Sequence, residues 1–158
     1  MSWTVIPERF DTPEASLLRR DYYDEVASRY WRRPATEQEI DEGLTDDGVE
    51  ELAPPTGEFL VGRHGGKPAA CAGLKLLDPE TAELTRVFVR PQWRGTGGGA
   101  ALLAGLEEAA GNLGVRRMVL DTRLDLVEAR GLYVKHGFRE IPAYNSGPYR
   151  EIWYGKEL

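Results

Sequence analysis

The sequence is poor in the residues that build disulfides, metal sites and hydrolase nucleophiles. Its 158 residues include a single cysteine, Cys71, which excludes an internal disulfide and, among alanines, is expected to be a buried packing residue. The two histidines, His64 and His136, lack metal-ligand spacing with each other or with the cysteine, so we expect no metal. No serine lies in a G-x-S-x-G setting, so a nucleophilic hydrolase has no support.

Long apolar runs and an excess of positive charge are missing as well. No stretch approaches the roughly 20 apolar residues that cross a bilayer, and the first residues lack the pattern of a signal peptide. We therefore expect a cytoplasmic protein that contacts no membrane. The formal net charge of -6 argues against nucleic acid as a partner, because a phosphate backbone attracts clustered cations. The chain has the length of a single domain, residues 1–158.

Strand and helix patterns alternate along the first part of the chain. Residues 3–7 are typical of a short strand, and apolar residues recur at helical spacing over 11–30. Thr36 and Glu39 form a capping box for a second, short helix. We expect an acidic loop over 41–51 to follow it.

The second part of the chain has the stronger pattern. Two β-type runs flank Gly65 and Gly66, which predicts a hairpin. A β-branched and aromatic run that ends at Pro91 predicts a further strand, and the helical stretch from Ala100 predicts a helix after it.

A glycine-rich segment between a strand and a helix is the strongest functional signal. The apolar strand ends at Pro91, and four of the five residues from Gly95 to Gly99 are glycine. Glycines let the backbone approach an anion closely, and the unpaired amides at the start of the next helix point at it. Arg94 adds a cation beside them. The segment therefore predicts a site for a phosphorylated ligand.

Two nucleotide-binding motifs compete for this segment. Gly95, Gly97 and Ala100 fit the G-x-G-x-x-A fingerprint of dinucleotide-binding folds, with Asp121 about 20 residues further on. However, five residues separate Val89 from Gly95, whereas that fingerprint places its first glycine directly after the strand. A P-loop fails because no lysine followed by serine or threonine closes the glycines. An oxidoreductase thus remains an alternative, and the cofactor that the protein prefers would distinguish it from other functions.

Arranged as R-x-x-G-x-G, Arg94, Gly97 and Gly99 resemble the pyrophosphate loop of the GNAT superfamily of acyl-CoA-dependent N-acetyltransferases. Residues 82–91 resemble that family's fourth strand, 98–114 its pyrophosphate-capping helix, 115–121 its fifth strand, and 127–138 its "ALYxKxGF" helix end. The resemblance is good over 58–158. It implies an α/β GNAT fold, with a central mixed, mostly antiparallel sheet of about six to seven strands flanked by about four helices.

The resemblance also implies an activity and its participants. It implies an acyltransferase that moves an acetyl group from acetyl-CoA directly to a primary amine of a small molecule or amino-acid-like acceptor. Residues 58–158 would form the cofactor-binding and catalytic part, and 1–57 the variable acceptor side. The implied cofactor-binding residues are Val87, Phe88, Val89, Arg94, Gly95, Thr96, Gly97, Gly98, Gly99 and Ala100. Homodimers are common among relatives, but the sequence identifies no interface.

Two departures from the family pattern leave other functions open. Gly98 stands where the family usually has an apolar branched residue, which weakens the start of the helix by about 1 kcal/mol and could loosen the loop. Leu126 stands where it has an asparagine, seven residues before Tyr133. These departures suit a non-catalytic acyl-CoA-binding or regulatory module. Acetylation of a peptide N-terminus or a lysine side chain is a further alternative.

Catalytic residues are expected on the strand over 82–91 and on the last helix. A primary amine with a pKa near 10.4 is neutral in about one molecule in 10³ at pH 7, so the site has to remove a proton. The resemblance implies Glu83 as the general base, with Asp121 in reserve, and Tyr133 as the acid that protonates the CoA sulfur. Strand alternation predicts one face with Glu83, Thr85, Val87 and Val89 and the other with Leu84, Arg86 and Phe88.

The resemblance implies that the acceptor binds between the N-terminal helices and the loop over 141–150. That loop is rich in aromatic and amide groups, which suit a small polar ligand. We therefore expect acceptor contacts from Tyr144 and Asn145, and from Tyr22 and Tyr30 on the first helix.

Overall fold

The computed structural model describes residues 2–45 and 47–158, and its elements follow the predicted alternation. The first are β1 (Trp3–Pro7), α1 (Pro13–Trp31), α2 (Glu37–Leu44), β2 (Gly57–His64) and β3 (Lys67–Asp78). They are followed by β4 (Thr81–Val89), α3 (Gly98–Asn112), β5 (Arg117–Thr122), α4 (Val127–Lys135), β6 (Arg139–Glu140) and β7 (Ile152–Glu157). Short 3-10 turns occupy Val49–Glu51 and Pro91–Trp93.

The N-terminal helices begin at capping side chains. The Thr12 hydroxyl accepts a hydrogen bond from a first-turn amide of α1, and Thr36 and Glu39 form the predicted capping box of α2. The prediction that an acidic loop begins at residue 41 is wrong. The acidic residues after the capping box continue the helical hydrogen bonding as far as Leu44.

The strands form one mixed sheet. Within the described ranges it has seven strands, in the spatial order β1-β2-β3-β4-β5-β7-β6, and four α-helices lie beside it. Neighbouring strands are antiparallel throughout that part of the chain, except for the parallel pair β4 and β5. This confirms the predicted α/β fold. It excludes the dinucleotide alternative, because that fold needs a mostly parallel, doubly wound sheet.

Strands β4 and β5 separate soon after they meet. Their pairing runs from Thr81 opposite Arg117 to Glu83 opposite Val119. Beyond Glu83 the two strands share no further pairing in the structure, although β4 continues to Val89. The sheet therefore opens into a cleft, where the edge of β4 that faces β5 has no strand partner among the described residues.

A β-bulge interrupts β4 just inside this cleft. Thr85 lies opposite Gly73 and Phe88 opposite Cys71, so β4 has one more residue than β3 between these pairs. The bulge centres on Arg86, whose φ of 54° lies in the left-handed region that side chains seldom adopt.

The bulge overturns the predicted alternation of side chains on β4. Val87 and Val89 pack with Leu84 in the core beneath α3, and Phe88 packs with Cys71 beneath α1. The prediction that Val87 and Val89 share a face with Glu83 is therefore wrong, because one inserted residue exchanges the faces of every side chain after it.

Apolar side chains fill the space on both faces of the sheet. Leu102 and Leu106 of α3 are fully buried on one face, and Leu18 of α1 packs with Phe59 on the other. The two layers hold the helices against the strands that border the cleft. Among the described residues, none of the helices combines the length and the apolar composition that spanning a bilayer requires.

Candidate functional site

The opening between β4 and β5 leads into a cavity of about 800 Å³. It brings together parts of the chain that the sequence analysis singled out separately. Its lining includes Glu83, Val87, Phe88, Val89, Arg94, Gly95, Gly97, Gly98, Gly99, Ala100, Asp121, Tyr133 and Tyr22. Thr96, Tyr144, Asn145 and Tyr30 do not line it. A smaller cavity of about 270 Å³ borders it and is lined by Tyr22, Tyr30 and Asp121, among others.

The glycine loop presents free amides to the cavity. Gly97 caps α3 with a φ of 96° and provides no side chain to bond the first turn. Within the described residues, the backbone N–H groups of Gly98, Gly99 and Ala100 have no hydrogen-bond acceptor. These orphan donors and the positive end of a 15-residue helix fit a pyrophosphate group.

Arg94 is tied into the protein rather than free beside these amides. Its Nε donates to the Val89 carbonyl at 2.9 Å, and its Nη2 contacts both carboxylate oxygens of Glu25 at 2.7 Å. Glu25 belongs to α1, so this ion pair links the acceptor-side helix to the glycine loop. The cation is predictable from the sequence, whereas its partner Glu25 is not.

Glu83 lies buried at the start of the cleft, where its carboxylate meets the loop after β6. The Tyr144 hydroxyl donates to Oε2 at 2.7 Å, and Nζ of Lys75 lies 4.0 Å from Oε1. Burial and the bond to this carboxylate raise the pKa of Tyr144 well above its ordinary value. The tyrosine therefore stays neutral and keeps donating at physiological pH.

Asp121 meets the next residue of the same loop. Asn145 Nδ2 donates to Asp121 Oδ2 at 3.0 Å, and Trp153 Nε1 donates to Asn145 Oδ1 at 2.7 Å. Arg150 Nε lies 3.8 Å from Asp121 Oδ2. Trp153 is not recognisable as a site residue from the sequence, because only the strand register, which pairs it with Asp121, reveals the proximity.

Tyr133 of α4 is held by aromatic neighbours that follow this helix in the chain. Its ring packs edge to face on Phe138 with centroids 5.6 Å apart and lies 6.1 Å from the ring of Tyr154. Burial raises the pKa of its hydroxyl well above the ordinary value. Across the part of the chain described here, that hydroxyl makes no hydrogen bond. Tyr133 is thus a protonated donor that borders the cavity.

A charged cluster that the sequence analysis did not find lines the far side of the cavity. Arg86 donates to the Asp47 carbonyl at 2.7 Å and pairs with the Asp47 carboxylate at 3.3 Å. Arg19 lies 3.7 Å from the same carboxylate. The three side chains come from α1, a loop and the bulge of β4, so no local pattern in the sequence joins them.

Comparison with known proteins gives consistent matches. A family model for the acetyltransferase (GNAT) family matches residues 17–138. An uncharacterized N-acetyltransferase of Schizosaccharomyces pombe is 30% identical over 146 residues, which cover 91% of this chain and 86% of that protein. Aminoglycoside N(6')-acetyltransferase type 1 of Stenotrophomonas maltophilia is 38% identical, over 60% of this chain and 71% of that protein.

Solved structures show the same fold. A GNAT family acetyltransferase of Staphylococcus aureus superposes with a TM-score of 0.78 at 16% identity, covering 99% of each chain. The PaiA N-acetyltransferase of Thermoplasma acidophilum, in complex with coenzyme A, gives a TM-score of 0.74 at 17% identity over 100% of both chains.

The environment of Cys71 predicts an inert thiol. The side chain is fully buried beneath α1, and burial raises its pKa to about 12, so almost no thiolate exists at neutral pH. We expect iodoacetamide to leave the native protein unmodified and to alkylate one site after denaturation, as measured by intact mass. Rapid alkylation of the native protein would contradict this placement.

Proposed function

Because this chain belongs to the acetyltransferase (GNAT) family, we propose that it acetylates the primary amine of a small-molecule or amino-acid-like acceptor. Acetyl-CoA-dependent acetylation is the general activity of such an acyltransferase. The observation that carries the proposal is that one cavity is lined by the glycine loop with its free amides, by Glu83 and by Tyr133. A donor, a base and an acid can therefore meet in one place.

Acetyl-CoA would be held by backbone groups more than by side chains. The amides of Gly98, Gly99 and Ala100 would bind the pyrophosphate of acetyl-CoA at the positive end of α3. The pantetheine arm would lie along Val87–Val89, where β4 has lost β5 as a partner. Arg94, Gly95, Thr96 and Gly97 complete the proposed loop.

Glu83 is the proposed base. An acceptor ammonium loses a proton to this carboxylate, and the freed nitrogen attacks the thioester carbonyl. The tetrahedral intermediate collapses as the C–S bond breaks, and the thiolate takes a proton from Tyr133. The nitrogen loses two protons overall. One is released to solvent, and the other makes up for the proton that Tyr133 donates to the thiolate. Transfer is direct, with no acyl-enzyme.

The acceptor side is proposed to comprise residues 1–57 and the loop that follows β6. Tyr144 and Asn145 reach the two candidate carboxylates, and Tyr22 and Tyr30 line the adjacent small cavity with Asp121. A volume of about 270 Å³ is near the lower end of small-molecule sites, which favours a small amine over a protein acceptor.

The activity is testable without knowing the acceptor. We expect acetyl-CoA to bind the purified protein in calorimetry, with NADH as a control ligand that also carries phosphates but does not bind. We then expect small primary amines to stimulate CoA release, measured with a thiol reagent. Stimulation by lysine peptides alone would favour the protein-acetylating alternative, and absence of acetyl-CoA binding would contradict the proposal.

Two isosteric variants separate the candidate bases. We expect Glu83→Gln to lower kcat by about 10²–10⁴-fold, and Asp121→Asn to lower it less. A larger loss in Asp121→Asn than in Glu83→Gln would transfer the role of base to Asp121.

The proposed acid predicts a milder loss. A CoA thiol has a cysteine-like pKa near 8.5, so its thiolate leaves tolerably well without help. We expect Tyr133→Phe to lower kcat without abolishing turnover. Tyr154→Phe is the matched control, because it removes a hydroxyl from the same aromatic cluster. Wild-type kcat in Tyr133→Phe would rule out the acid role.

A further inference from the structure

A tryptophan on the edge strand reaches the glycine loop from the far end of the sequence. Trp3 Nε1 lies 3.1 Å from both the carbonyl and the hydroxyl oxygen of Thr96, so one indole N–H is shared between them. The Thr96 hydroxyl in turn donates to the Trp93 carbonyl at 2.6 Å. The loop is therefore tied to β1 one residue before the cap of α3.

The same indole ring occupies the space beside the first residue of α3. A Cβ built on Gly98 would lie 2.5 Å from Cζ2 and 2.8 Å from Cη2 of Trp3, closer than packed atoms allow. The backbone of Gly98 is not left-handed, so glycine is needed there for space rather than for conformation. The absent branched side chain therefore does not leave the loop loose, because Trp3 fills its place.

Trp3 is held in place by the pairing of β1 with β2. Trp3 pairs with His64 of β2, and the two rings pack edge to face with centroids 5.3 Å apart. Two turns further along α3, Val5 packs in the same way on Gly105, where a Cβ would lie 2.7 Å from the valine. The helix thus rests on β1 at two glycines, and only the first contact touches the loop.

We propose that Trp3 is a positioning residue for coenzyme A. Trp3 holds Thr96 and the first turn of α3. It thereby fixes the direction of the Gly98, Gly99 and Ala100 amides, which are proposed to bind the pyrophosphate. Binding of an anion by several amides depends on their mutual geometry to within about 0.5 Å, so a loop freed from β1 binds more weakly. This inference rests on the proposed role of the glycine loop.

Calorimetric binding of CoA, without any acceptor, tests this role. Trp3→Phe keeps an aromatic ring but removes the N–H donor, and we expect the Kd for CoA to rise about fivefold to tenfold. Val5→Ala is the matched control, because it weakens the packing of α3 on the same strand without touching the loop. We expect it to lower the Tm while leaving the Kd unchanged.

The contact with Gly98 allows a second, independent measurement. Gly98→Val should weaken CoA binding because its side chain collides with the indole. Trp3→Ala should weaken it because the loop is released. In the double variant, we expect the Kd for CoA to rise by less than the product of the two separate fold-increases, because the valine then fills the space that the indole has vacated.

The outcomes separate the inference from the proposed function. If the wild-type protein does not bind CoA, the proposed role of the loop fails, and the inference fails with it. If the wild type binds but Trp3→Phe binds equally well, or if Val5→Ala raises the Kd as much as Trp3→Phe, the inference alone is overturned. If Trp3→Ala and Gly98→Val raise the Kd for CoA by independent factors that multiply in the double variant, the proposed packing of Trp3 against Gly98 is overturned.

Discussion

Parallel pairing between β4 and β5 ends at Glu83, and the rest of the site depends on that early separation. Had the strands stayed paired, their backbone groups would bond each other and no cleft would form. Separation leaves β4 without a partner on one side and places the start of α3 beside the opening. The bulge at Arg86 follows directly and turns Val87 and Val89 toward the core beneath α3.

Around this opening the charged groups are held by long-range partners. Glu83 and Asp121 accept hydrogen bonds from consecutive residues of one loop, so the position of that loop is coupled to both carboxylates. On the donor side, Glu25 of α1 pairs with Arg94. Helix α1 therefore contacts the machinery proposed for the cofactor as well as the region proposed for the acceptor.

The glycine loop shows how the same residue type serves two needs. Gly97 adopts a φ that other residues seldom take, which lets the chain turn into α3 and leaves the first amides of the helix without a side-chain cap. Gly98 has an ordinary backbone conformation and is small because the indole of Trp3 lies against it. The sequence does not distinguish these two glycines. That Gly98 is needed for space becomes visible only in the structure, where Trp3 of β1 lies against it.

Signals that reside in neighbouring residues were readable from the sequence alone. The capping box at Thr36, the glycines before α3 and the similarity around Tyr133 predicted the fold and the kind of cofactor, because backbone conformation and helix ends are governed locally. Alternation along β4 failed because a bulge shifts register without leaving a local signature.

Only the tertiary structure decided which side chains meet. Trp3 and Thr96 are 93 residues apart, and Tyr144 lies 61 residues from Glu83. Such contacts depend on strand order and register, which are set by the whole sheet and its packed helices rather than by any segment. The sequence by itself thus determined the family, the order of the main elements and the glycine loop before α3. The partners of Glu83, Asp121 and Arg94 were decided by the fold, because a contact between distant residues exists only once the chain between them has packed.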